Sequence, residues 1–155
     1  MTRWLDRLEE GACVLLLAVM TAVALLNVVT RYLIHYSLAF TEEVVVSLFV
    51  WLTLLGASIA FREGMHLGFT WVVERMPRGL QRCAIWLSAA LALGLFTTVI
   101  YFGVGQIRSE RQLGTTSEAL AVPQWWYTAG IPVIGALILI RIVQGAVRAQ
   151  RKLEE

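Results

Sequence analysis

Four uncharged stretches divide the chain: Gly11 to Thr30, Val44 to Phe61, Cys83 to Ile107 and Ala119 to Ile140, of 20, 18, 25 and 22 residues. Even the shortest would rise roughly 27 Å as an α-helix, close to the roughly 30 Å hydrocarbon core of a bilayer. A core helix of a soluble domain seldom needs so many consecutive uncharged positions. The pattern predicts an all-α membrane protein with four transmembrane helices, spanning approximately residues 11–33, 42–62, 82–107 and 120–141 within a single domain over 1–155. The first stretch could be read as a secretory signal behind Arg3 and Arg7. It is longer than the usual apolar region and ends at Asn27-Val28-Val29-Thr30-Arg31 without a small-x-small cleavage pattern, so it is taken as a retained helix.

The second stretch carries the most structured face. Glu43, Ser47, Trp51, Leu54, Ser58 and Arg62 recur at steps of three and four and line one stripe of a helix. Gly56 and Ala60 form a small-xxx-small pair beside it, which permits close approach by another helix. Thr41 reads as an N-cap, with Glu42 and Glu43 in a first turn whose dipole favours negative charge. A charged contact with a partner chain is the competing reading of those two acids. Asn27 reads either as an amide solvated near the membrane interface or as one bonded to a neighbouring helix.

Between the second and third stretches, Phe69, Trp71, Val72 and Val73 sit among Glu74, Arg75, Arg78 and Arg82, and Pro77 ends any helix near Met76. This predicts a short helix lying in the membrane interface. The segment from Trp4 to Glu10 reads as a weaker interfacial turn. The 25-residue third stretch is long enough to tilt or to project beyond the bilayer. The fourth begins at Pro123-Gln124-Trp125-Trp126-Tyr127, where aromatic rings suit the headgroup level, and Pro132 predicts a kink. Trp4, Trp71, Trp125, Trp126 and Tyr127 are the candidate membrane anchors.

Charge then orients the helices. With four crossings, ten of the thirteen Lys and Arg residues fall on the side shared by both termini and the second loop, and only Arg31, Arg108 and Arg111 fall on the other. Positive flanks favour the cytoplasm, so both termini are predicted to be cytoplasmic. Composition agrees with a membrane protein: 58% of residues are hydrophobic and 15% charged, against about 25% charged in an ordinary soluble domain.

The missing chemistry narrows function. An autonomous ion-coupled carrier places ionisable groups inside its helices, and the four stretches contain none. His35 and His66 would lie at opposite membrane faces and cannot share a haem. Cys13 and Cys83 form no Cys-x-x-Cys pair and read as small apolar side chains. No enzyme, cofactor, metal or nucleic-acid partner is expected.

Asn27-Val28-Val29-Thr30-Arg31-Tyr32, Phe40-Thr41-Glu42-Glu43, Phe49-Val50-Trp51-Leu52-Thr53-Leu54-Leu55-Gly56-Ala57, Phe61-Arg62-Glu63-Gly64-x-His66, Pro123-Gln124-Trp125-Trp126 and Ile131-Pro132 together resemble the small membrane subunit of tripartite ATP-independent periplasmic (TRAP) transporters. Met65 and Ser117-Glu118-Ala119-Leu120 depart from that pattern. The resemblance implies a scaffold beside a large membrane subunit, which imports a carboxylate-bearing solute on a sodium gradient after capture by a periplasmic binding protein. It implies a multi-pass protein of a bacterial or archaeal cytoplasmic membrane. Candidate partner contacts are Arg31, Glu42, Glu43, Ser47, Trp51, Gly56, Ser58, Ala60, Arg62, Glu63 and His66. The alternatives are an autonomous four-helix transporter acting as a homodimer and the membrane anchor of a respiratory enzyme. Homodimeric exporters of the first kind typically carry a glutamate inside helix one, where this chain has Thr21 and Asn27.

Overall fold

A computed structural model describes residues 2–33, 35, 38–63 and 77–154, with side chains described from Asp6 and as far as Arg151. The helices are α1 (Thr2–Leu33), α2 (Ala39–Glu63), α3 (Arg78–Leu113), the single turn α4 (Trp125–Thr128) and α5 (Gly130–Glu154). Four helical segments are long and apolar enough to cross a membrane: Asp6–Leu33, Ala39–Glu63, Arg78–Leu113 and Trp125–Arg151. The predicted interfacial helix of the second loop, with His66 and Trp71, lies outside the described residues, as does the side chain of Trp4.

Element ends follow local chemistry. At 36 residues α3 rises about 54 Å, well beyond a hydrocarbon core. It starts where the Pro77 carbonyl accepts the amides of Leu80 and Gln81, at 2.9 and 3.2 Å. It stops at Gly114, whose left-handed backbone (φ 61°) returns its amide to the Glu110 carbonyl. The fourth apolar stretch does not begin as a helix. Residues 115–124 turn back as a hairpin, with Thr116 bridged to Pro123, Ser117 N–H donating to the Val122 carbonyl at 2.8 Å, and Ala121 in the left-handed region. Helix resumes at Trp125 and is interrupted at Ala129, one turn before Pro132, whose ring nitrogen has no hydrogen for the ladder. At the other extreme, Trp4 to Glu10 is continuous with α1 instead of forming a separate interfacial turn.

The succession of helices brings both termini to one end, called here the terminal end, and the 115–124 hairpin to the far end. α5 packs against α3 and against α2, and α1 packs against α2. Since α2 and α5 both run from the far end to the terminal end, these neighbours are parallel. The core is built from Ile85, Ala89 and Phe96 of α3 and Ile138, Ile142 and Ala146 of α5, with Leu54, Ala57 and Phe61 of α2 packed on it. Their spacings of three, four and seven residues place each set on one helix face. Phe61 and Phe96 meet edge to face, 5.8 Å between centroids. Lipid tails are as apolar as these side chains, so such contacts hold helices together through close packing more than through escape from water.

Candidate functional site

The polar groups gather at two levels, one at each end. At the terminal end, Asp6, Glu9 and Glu10 on α1, Ser58, Arg62 and Glu63 on α2, and Arg141 and Gln144 on α5 form one network. Arg141 is 2% exposed and Glu9 4%. The Arg141 guanidinium donates through Nε to Glu9 Oε1 at 2.9 Å, through Nη2 to Asp6 Oδ1 at 2.7 Å and through Nη1 to Gln144 Oε1 at 3.1 Å. Arg62 donates through Nη2 to Glu10 at 2.6 Å and to Glu63 at 3.2 Å, while its Nη1 lies 3.5 Å from Asp6 and 3.9 Å from Glu9 Oε2. Ser58 adds a long hydroxyl bond to Glu9, 3.4 Å. The planar, always charged guanidinium suits this work, since its fixed fork can meet carboxylates on two helices at once.

In the sequence, Arg141 stands out only as a topological charge and the α1 acids only as the polar side of a turn. Sequence alone offered one signal for the network: Asp6 and Glu9, three residues apart on one helix face, at the same predicted membrane level as Arg62 and Arg141.

At the far end, Glu43 Oε2 accepts the Ala119 amide at 3.3 Å and ties α2 to the hairpin. Glu110, buried near the end of α3, accepts from Gln106 Nε2 and Thr128 Oγ1, both at 3.0 Å and both on Oε1. The Arg111 guanidinium stacks 4.0 Å over the ring of Trp125, which meets Trp126 edge to face. Glu42, Glu43, Glu118, Ala39, Ala119 and Gln124 line an open cleft of about 700 Å³. Asn27, near this level, accepts the Leu38 amide at 3.1 Å and so ties the α1–α2 link. Thr41 lies inside α2, two residues after its start. Its hydroxyl donates to the Leu38 carbonyl at 2.6 Å, so it does not act as an N-cap.

The predicted α2 stripe largely meets this chain's own elements. Besides Glu43, Ser58 and Arg62, Trp51 Nε1 donates to the Tyr127 carbonyl at 2.9 Å, and Leu54 packs on the core. Ser47 bonds back to the Glu43 carbonyl of its own helix at 2.9 Å. The indole of Trp51 occupies the space a Cβ on Gly130 would need, so this glycine is what lets α2 and α5 close together. Gly56 differs. Nothing lies within 4 Å of where its Cβ would stand, and with Val46, Phe49 and Thr53 it forms an uncovered face of α2. Ala60 is half-buried, whereas Arg31, Glu42, Glu63 and Trp126 are exposed. Among the described residues no group of three or more His, Cys, Asp or Glu could hold a metal ion.

Four apolar helices of bilayer length, with an ion-paired cluster at one end, define a multi-pass membrane protein. Residues 20–152 match the family described as tripartite ATP-independent periplasmic transporters, DctQ component, and the chain belongs to that family. It is 36% identical over 77 residues to a protein named as a TRAP transporter small permease protein of Haemophilus influenzae, covering 50% of this chain and 48% of the relative. It is 25% identical over 177 aligned residues to the C4-dicarboxylate TRAP transporter small permease protein DctQ of Rhodobacter capsulatus, covering 94% and 78%. It is also 25% identical to the sialic acid TRAP transporter permease protein SiaT of Haemophilus influenzae, where 92% of this chain corresponds to 23% of a much longer polypeptide. The chain therefore spans under half the length of two of these three relatives. Its family consists of transporter subunits, not enzymes, and it is a multi-pass inner-membrane protein.

Proposed function

We propose that this chain is the scaffold half of a two-part permease. It holds a large membrane subunit in place while that subunit imports a carboxylate-bearing solute on a sodium gradient. A periplasmic binding protein delivers the solute, and both termini of this chain face the cytoplasm of a bacterial or archaeal cell. The observation that carries this reading is the disposition of charge. Arg141, Arg62, Glu9 and Asp6 pair with one another at the terminal end, and the uncharged stretches of the four helices offer a coupling ion no Asp, Glu, Lys or Arg. The relative in which a segment like this one is part of a longer permease supports a one-to-one pairing with the transporting part.

Reconstitution tests it. Proteoliposomes holding this chain alone should show no sodium-dependent uptake with binding protein and solute supplied, and adding the large subunit should restore uptake. Uptake by the chain alone would overturn the reading.

A further inference from the structure

Every buried apolar residue among those described belongs to α2, α3 or α5, whereas the single buried side chain on α1 is Glu9. α1 lies along α2, and it meets α5 through ion pairs from Arg141 to Glu9 and Asp6. At the far end it is tied by the Asn27 amide. We propose that the Asp6, Glu9, Arg62 and Arg141 network is a clasp that makes α1 a separable helix. Charge pairing docks it on a core of α2, α3 and α5, and it can leave that core as a rigid unit.

Three physical points carry this. Among the described residues α1 buries no apolar side chain fully, so close packing holds it less firmly than the other helices and its polar contacts carry more of its docking. Asp6 is shared by Arg62 and Arg141, and Glu9 faces both, so losing α1 strips Asp6, Glu9 and Glu10 from the two arginines together. Arg62 would then keep Glu63, and Arg141 would keep Gln144. The contacts break as a set, which makes docking two-state. The network also sits at a membrane edge, where long arginine side chains can reach water once it opens.

The chain carries its own reporters, because its two free cysteines are Cys13 on α1 and Cys83 on α3, both towards the terminal end. Nitroxide labels on these two thiols, read by double electron–electron resonance on the full chain in phospholipid nanodiscs, give the α1-to-core distance. The parent should show one narrow distance class, and Asp6→Asn combined with Glu9→Gln should add a longer one. A second pair, Cys83 with Thr53→Cys in a Cys13→Ser background, reports α2 against α3 and should not change. A double variant that keeps the parent's α1 distance would overturn the clasp. Equal broadening of both pairs would also overturn it, by showing that the network supports the whole fold.

Discussion

The bond from Trp51 to the Tyr127 carbonyl joins α2 to the single turn that opens the last span. Replacing Trp51 by Phe keeps most of the ring but deletes one hydrogen bond, at about 1 kcal/mol. Gly130→Ala should cost more, because its Cβ would stand inside the indole. Combined with Trp51→Ala, the same change should be tolerated. Thermal unfolding of the single and double variants in detergent should show this non-additivity, as expected for residues in direct contact. Trp51 stood out in the sequence because it recurs on a polar stripe. Its partner did not, because a backbone carbonyl 76 residues away leaves no mark on composition or period. Arg141 was hidden for a related reason: at the end of an apolar run it looked like an ordinary flanking charge, and its acids lie more than 130 residues earlier.

Helices were far more legible than their ends. Charge-free length found all four spans, since nothing but bilayer thickness demands so many consecutive uncharged residues. Length alone could not say that residues 119–124 belong to a hairpin, because Ala, Leu and Val are equally uncharged in an exposed turn and at a helix start. Nor could it place the end of α3, which runs past Ile107 through Arg108, Glu110 and Arg111 to Gly114. That glycine supports a sharp test. Gly114→Ala must hold a side chain in the left-handed region, at about 1–2 kcal/mol, and should increase proteolytic cleavage in the 114–124 hairpin. Gly105→Ala, within the same helix and facing open space, should instead stabilise it by roughly 1 kcal/mol. Opposite shifts in unfolding temperature would separate a conformational need for glycine from its absence.

For the molecule as a whole, the sequence predicted four crossings and a face seeking a neighbour, and the structure divides that face in two. The Trp51 and Ser58 side is taken up by α5 and α1, and the Gly56 side remains open. A Cβ at Gly56 meets no atom of this chain, so Gly56→Leu should leave membrane insertion intact and should not lower thermal stability. It should reduce copurification with the large subunit if that face is the contact, and full recovery of the complex would place the contact elsewhere. The parallel pairing of α2 with α5 has a consequence for synthesis. Parallel neighbours cannot be joined by a short turn, so α2 is made early while the helix that completes its core face and delivers Arg141 is the last of the four to leave the ribosome. Until then Glu9 has no Arg141, Phe61 has no settled core, and α3 has no α5 to lie against. Quality control would meet an open, half-neutralised intermediate throughout translation, and the final span would close it in a single step.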